Sequence, residues 1–141
     1  MGIDEAKRAL QDDPSFRYRG DPDVQFLPLT EIPLIETEGR AFIDRAVLQF
    51  QNDSLAILSL MLDRRRLDYF SVYESLVSQY GEPLRLDPGQ AVWEDASTRV
   101  TLERPLTVKY IDLPALNARV EAGRAEEALD AITRERFLEQ L

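Results

Sequence analysis

The segment from Asp68 to Pro83 (DYFSVYESLVSQYGEP) constrains the fold of this chain more than any other. Its apolar residues recur at steps of three and four and therefore form one helical stripe. They are Tyr69, Val72, Tyr73, Leu76, Val77 and Tyr80. Asp68 stands where an N-cap belongs, Gly81 can end the helix in a left-handed conformation, and Pro83 prevents its continuation. Because strand-like segments flank the helix on both sides, we expect it to pack on a sheet.

Residues 40–63 predict a β-hairpin around the turn Asn52-Asp53-Ser54. Pairing Leu48 with Leu58 and Phe50 with Ala56 keeps the apolar sets on one face and implies a three-residue loop. The second strand is apolar on both faces, so it is expected to be buried on both. Its first face carries Ala56, Leu58, Leu60 and Leu62, and its second carries Leu55, Ile57 and Met61. A proline-rich arm or the C-terminal helices could cover the second face.

Three shorter strands are predicted after the central helix, at residues 91–95, 99–103 and 106–111. Asp112-Leu113-Pro114 then begins a helix that Gly123 is expected to end. The remaining segment is helical by propensity, with a bend expected near Thr133 because its apolar residues do not hold one face.

The predicted architecture is α+β, an antiparallel sheet with the element order ββαβββ and one central helix packed on a face. We expect a single domain over residues 1–141, a length that can bury one core. Residues 1–39 would supply a short N-terminal helix and a proline-rich wrapping arm that is loop-like from Pro14 to Pro33. Residues 40–112 would form the sheet-and-helix core, and residues 113–141 the C-terminal helices.

The composition excludes several classes of site. The chain has no histidine and no cysteine, which removes disulfides, thiol nucleophiles, Ser-His-Asp arrangements and the commonest zinc ligands. We therefore predict no metal site and no cofactor. The formal net charge of −9 argues against nucleic acid or an anionic membrane as the partner, because both attract basic surfaces.

The sequence bears weakly on location. No run approaches the roughly 18 apolar residues of a membrane span, and the opening MGIDEAKRAL has no apolar signal core. The chain as given is thus expected to be cytoplasmic. An opening Met-Gly can also remain after removal of a signal or anchor, and the bacterial envelope is the alternative.

The region from Tyr73 to Tyr110 resembles a small bacterial α+β module found in uncharacterised proteins, many of them envelope or lipoprotein-type chains. The resemblance is carried by a helix ending in Tyr80-Gly81-Glu82-Pro83, by the strand Val92-Trp93-Glu94, and by the alternation that ends at Val108 and Tyr110. It covers about half of the chain. It implies the fold and no chemistry, because the module has no established catalytic residues.

Two clusters are candidates for ligand binding. Arg64, Arg65 and Arg66 precede the central helix and could hold an anion or an acidic partner at its N-terminus; otherwise they form a solvated connector. Trp93 with Tyr69, Tyr73, Tyr80 and Tyr110 could line a ligand groove or belong to the core. Asp21-Pro22-Asp23 is interpreted as a solvated turn rather than a cation site.

A third candidate is the C-terminal segment, where Phe137, Leu138 and Leu141 lie off the stripe of the preceding residues. Unused apolar residues at a terminus favour docking on a protein partner or a second copy. The function predicted is therefore a non-catalytic protein-binding or scaffolding module. The alternatives are a small-ligand or anion-binding domain, using the aromatic groove or Arg64–Arg66, and a carboxylate-dependent enzyme.

Overall fold

The computed structural model of the chain describes residues 1–20, 23–26 and 33–140, with the backbone alone at 25–26, 119–127 and 129–130. Its helices are α1 (Ile3–Asp12), α2 (Tyr69–Tyr80) and α3 (Leu113–Glu139). Its first five strands are β1 (Phe16–Arg17), β2 (Val24–Phe26), β3 (Pro33–Gly39), β4 (Ile43–Gln51) and β5 (Ser54–Leu62). The remaining strands are β6 (Arg85–Leu86), β7 (Gln90–Glu94), β8 (Thr98–Glu103) and β9 (Thr107–Asp112).

The strands form one antiparallel sheet with the order β1-β3-β4-β5-β9-β8-β7-β6, and β2 pairs with β3 beside β1. The α+β class predicted from the sequence is thereby confirmed. The predicted core elements correspond to β4, β5, α2, β7, β8 and β9, in that order along the chain. The two halves of the sheet meet where β5 pairs with β9.

The interpretation of residues 14–33 as loop-like is wrong for residues 16–17 and 24–26, which are β1 and β2, and the end of the expected wrapping arm is strand β3. β1 and β2 pair along one edge of β3, and β3 pairs along its other edge with β4. Ile35 of β3 is fully buried, so this strand belongs to the core. Asp23 is also less solvated than expected, because it is buried and accepts from the backbone N–H of Arg19 at 2.8 Å. Asp21 lies outside the described residues.

The β4–β5 hairpin has the predicted pairing of Leu48 with Leu58, but its loop is shorter than expected. Gln51 pairs with Ser54, so the turn contains two residues, Asn52 and Asp53, and both have positive φ. A register shift follows, and Phe50 stands opposite Leu55 instead of Ala56. The shift moves Leu55 to the apolar face of Phe50, away from the face predicted for it.

Two apolar clusters cover one face of the sheet in the described part of the chain. One joins α2 to β7, β8 and β9, and the other joins α1 to β3, β4 and β5. Leu58 packs against the second cluster and stands opposite Tyr110, which packs against the first. Opposed residues of antiparallel strands point to the same face, so α1 and α2 lie on the same side of the sheet.

The predicted caps of α2 are present. The carboxylate of Asp68 accepts from the backbone N–H of Ser71, and Gly81 ends the helix at φ 84°. Its ψ of −159° places Gly81 outside the left-handed helical region expected for it. It adopts instead an extended conformation with positive φ, which is open almost only to glycine.

The C-terminal region is one helix instead of the predicted series. α3 starts at Leu113 with Asp112 as its cap and runs without interruption past Gly123 and Thr133. It contacts β4, β5 and β9, and Leu113 is buried. Propensity over a long segment outweighed a single glycine, whose cost within a helix is only about 1 kcal/mol. In the described part of the chain, no helix is both long and apolar enough to cross a bilayer.

Candidate functional site

A groove of about 500 Å³ opens where α2 ends above strands β7, β8 and β9. Three aromatic residues and three acidic residues account for two thirds of its lining. The lining residues are Tyr80, Glu82, Leu84, Trp93, Glu94, Asp95, Thr98, Val100 and Tyr110. The groove therefore contains three residues of the aromatic cluster predicted from the sequence, Tyr80, Trp93 and Tyr110. The other two, Tyr69 and Tyr73, do not line it.

Trp93 forms the fixed part of the groove. Its indole N–H donates to the carbonyl oxygen of Gly81 at 2.8 Å, and its ring centroid lies 6.0 Å from that of Tyr73. Only 4% of the residue is exposed, so most of the indole is core and one edge reaches the groove. The interpretation of Trp93 as a core residue is correct, and the same ring also lines the cavity.

Two tyrosines line the groove beside Trp93. Tyr80 is the last residue of α2 and is about half exposed, whereas Tyr110 of β9 is partly buried. Burial raises the pKa of the Tyr110 phenol, and the neighbouring Tyr80 adds to this shift. Tyr110 is consequently a neutral hydroxyl at neutral pH, able to donate or accept a hydrogen bond.

Tyr69 does not belong to the groove. Its hydroxyl donates to the carbonyl oxygen of Leu102 at 3.3 Å, and the guanidinium of Arg104 lies 4.1 Å from its ring centroid. Because Tyr69 begins α2 and Tyr80 ends it, the length of the helix separates them. The sequence stripe was right about packing and could not show which end of the helix meets a cavity.

Asp95 supplies a fixed negative charge at the rim. Its Oδ1 accepts from the backbone N–H groups of Ser97 and Thr98, both at 2.8 Å, in the turn between β7 and β8. These two hydrogen bonds lower the pKa of Asp95, and the one from Ser97 has the larger effect. The carboxylate is therefore ionised across the physiological range.

The other two acids differ in their surroundings. Glu82 follows Gly81 directly and is exposed at the end of α2. Glu94 lies next to Trp93 along β7, and its carboxylate approaches the guanidinium of Arg99 at 3.4 Å. Neighbouring residues of a strand point to opposite faces. Arg99 therefore offsets the charge of Glu94 on the face opposite Trp93, and Glu82 and Asp95 carry the charge of the groove.

An anion site formed by the arginine cluster at the start of α2 stays a prediction. Arg64, Arg65 and Arg66 are all exposed. In the first turn of α2, the backbone N–H of Ser71 donates to the carboxylate of Asp68. Arg65 donates its backbone N–H to the buried Asp63, lowering the pKa of that carboxyl. Binding of an acidic partner by these arginines stays a prediction.

The C-terminal candidates lie on the exposed end of α3. Phe137 is 62% exposed and Leu138 57%, and every residue from 131 to 140 is exposed. Leu141 lies outside the described residues. Ile132 is about half exposed as well.

Sequence reasoning missed Glu82, Asp95 and Thr98 as neighbours of the aromatic residues. The available signal was local: Glu82 follows Tyr80 by two positions, and Asp95 follows Trp93 by two. What could not be read is that α2 ends above the β7–β8 turn. In the part of the chain that the structure describes, no cluster of three acidic residues has the geometry of a metal site.

The model of one protein family, the TP0088 domain, matches residues 1–122. The chain belongs to the TP0088 domain family. This bacterial family is uncharacterised. The match to it confirms the predicted resemblance to an uncharacterised bacterial module. The match covers α1 to β9 with the start of α3, a wider span than the segment from Tyr73 to Tyr110. No curated protein and no solved structure matches the chain.

Proposed function

We propose that this TP0088 domain is a non-catalytic binding domain that holds a small organic ligand in the groove at the end of α2. The observation that carries the proposal is the meeting of Trp93, Tyr80 and Tyr110 around one cavity of about 500 Å³. That volume lies within the range of small-molecule sites, which are concave, largely apolar and provided with a few polar groups.

The rigidity of the groove supports this function. Trp93 is held by its hydrogen bond to Gly81 and by contact with the ring of Tyr73. Tyr110 and Val100 stand opposite each other on paired strands of the sheet. A site that needs little rearrangement loses less conformational entropy on binding, so more of the contact energy appears as affinity.

Fluorescence of the single tryptophan provides the test, because Trp93 is the only source of indole emission and it lines the groove. A library of aromatic amines, alcohols and carboxylates is titrated against the intact chain. We expect at least one class to change the emission saturably. Tyr80→Ala should weaken this binding at least tenfold, because it removes one aromatic wall.

The matched control is Phe42→Ala, which removes an aromatic residue of similar exposure that lies against Arg66 instead of the groove. It should leave the affinity unchanged. If no class binds, or if both variants lose binding equally, the proposed function is overturned.

A second candidate function, the docking predicted from the sequence, is supported by the exposed end of α3. We propose a second copy of the chain as its occupant. The segment 131–140 carries Phe137 and Leu138 together with two arginines and two glutamates, so antiparallel copies can pair their charges. Light scattering should find a dimer for the intact chain and a monomer for a chain ending at Ile132. A monomeric intact chain would contradict self-association and leave a different protein as the remaining occupant.

We also propose an envelope setting for the domain. Its support is the resemblance of the segment from Tyr73 to Tyr110 to modules of envelope and lipoprotein-type chains. Fractionation of cells expressing the native gene tests this, and recovery with the soluble cytoplasmic proteins would contradict it.

A further inference from the structure

The charges around the groove all have one sign. Of the nine lining residues, three are acidic and none is lysine or arginine. Arg99 offsets Glu94, which leaves Glu82 and Asp95 as the net charges. Asp95 is held in place by the backbone of its own turn. A ligand bearing a carboxylate or phosphate would be repelled at this rim.

The end of α2 contributes in the same direction. Tyr80 is both the last residue of the helix and a wall of the groove, so the C-terminal end of the helix dipole lies at the cavity. This end carries a partial negative charge. The last turn of α2 contains no basic residue that would neutralise it.

The aromatic lining favours the same kind of ligand. The faces of tryptophan and tyrosine rings carry negative potential, and they attract ammonium groups within about 6 Å. Tyr80 and Tyr110 offer two such rings, while Trp93, Leu84 and Val100 offer apolar contact to the body of a ligand. Cavity, rings, carboxylates and helix end are separate features that agree on one ligand charge.

We infer that the groove binds a small organic cation, an ammonium group attached to an apolar or aromatic body. The apolar body would lie on Trp93 and Val100, and the ammonium group near Glu82 and Asp95. This inference rests on the proposed function, and it adds the chemical class of the ligand.

Three probes of nearly equal shape test the charge: 2-phenylethylammonium, 2-phenylethanol and phenylacetate. Binding to the intact chain is followed by Trp93 emission and by proton NMR of the probe. We expect the ammonium probe to bind at least tenfold more tightly than the alcohol, and phenylacetate to bind more weakly than either. Added salt should weaken binding of the ammonium probe and leave that of the alcohol nearly unchanged.

Charge-neutralising variants assign the effect to residues. Glu82→Gln and Asp95→Asn should each reduce affinity for the ammonium probe several-fold without changing affinity for the alcohol. Glu74→Gln is the matched control, since Glu74 is an exposed acid of α2 outside the groove lining. It should leave all three affinities unchanged.

The outcomes distinguish failure of the cationic-ligand inference from failure of the proposed small-ligand binding. If the ammonium probe and the alcohol bind equally at the groove, the inference of a cationic ligand is overturned while small-ligand binding stands. If none of the three probes binds, both fail. If a short lysine- or arginine-containing peptide binds far more tightly than the ammonium probe, the small-molecule source is overturned in favour of a basic protein segment.

Discussion

The indole N–H of Trp93 and the carbonyl oxygen of Gly81 are joined by a 2.8 Å hydrogen bond across twelve positions of the chain. The bond ties the residue that ends α2 to strand β7, and so holds the helix end close to the sheet. Trp93 lines the groove, and Gly81 lies between its lining residues Tyr80 and Glu82.

Substitutions of Trp93 should separate the contribution of its buried ring to stability from that of its indole hydrogen bond. Trp93→Ala is expected to cost on the order of 3–5 kcal/mol, the range for deleting a large buried aromatic side chain. Trp93→Phe keeps an aromatic ring and loses the indole donor, which leaves the Gly81 carbonyl without that partner at a cost of about 1–3 kcal/mol. Urea unfolding followed by circular dichroism measures both. A Trp93→Ala chain as stable as the parent would contradict the core role.

A methyl group at Gly39 should be poorly tolerated. A Cβ there would lie 2.2 Å from the carbonyl oxygen of Ile43 and 2.5 Å from its Cγ2, at the tight connection between β3 and β4. Because backbone atoms must move, we expect Gly39→Ala to cost at least about 1–3 kcal/mol. At Gly89 the nearest atom would be 3.4 Å away, so Gly89→Ala should change stability by no more than about 0.5 kcal/mol. Equal melting temperatures for the two variants would contradict this geometry.

Acid should destabilise the fold through its capping carboxylates. Ser71 lowers the pKa of Asp68, and the N–H groups of Ser97 and Thr98 lower that of Asp95, below the ordinary value of 3.8. A depressed pKa in the folded state means that the unfolded chain takes up protons first as the pH falls. The stabilisation is therefore complete above about pH 5 and is lost as the pH falls through the folded pKa values.

Asp95→Asn tests the contribution of one carboxylate. The amide oxygen can still accept from the turn, so stability at about pH 7 should change little, while the loss between about pH 5 and about pH 3 should become smaller. Urea unfolding across this range measures both quantities. An unchanged acid dependence would show that Asp95 does not titrate differently in the folded and unfolded chains.

Removing the end of α3 should leave the domain folded. Since residues 131–140 are exposed, a chain ending at Ile132 should lose less than about 1 kcal/mol of unfolding free energy. A chain ending at Asp112 is the comparison, because it also loses the buried Leu113 and the contacts of α3 with β4, β5 and β9. It should be markedly less stable. A large loss of unfolding free energy in the chain ending at Ile132 would show that the removed segment belongs to the core.

Divalent metal ions and chelators should not change the melting temperature. The chain has no histidine or cysteine, and the described residues contain no cluster of three acids arranged to hold a cation. Differential scanning fluorimetry with millimolar Ca²⁺, Zn²⁺ or EDTA checks this. A reproducible rise of several degrees with one ion would show a site that these considerations missed.

The fold was predictable wherever a local pattern met a local need. The stripe of α2, the caps at Asp68 and Gly81, and the pairing of Leu48 with Leu58 could all be read from spacing. β3 was missed because proline and two glutamates mask its short alternation, although Ile35 is fully buried. Its place beside β4 depends on long-range pairing, which propensity does not report.

The candidate site was predictable in its aromatic part only. Aromatic residues on a stripe and on alternating strands announce a cluster, and Trp93 was expected in it. The acids of the rim are exposed turn residues, and the chain has 26 acidic residues that look alike in sequence. Only the end of α2 above the β7–β8 turn distinguishes Glu82 and Asp95 from the others.

The pairing of β5 with β9 joins two halves of the sheet, the first five strands and the last four. Every other strand pair in the described residues joins strands within the first five or within the last four, whereas Leu60 pairs with Val108 across 48 positions. Within each half the paired residues are closer in sequence, the widest pair being Phe16 with Gly39. The sheet requires one long closure, whose entropic cost grows slowly with loop length and falls on the step that joins β5 to β9.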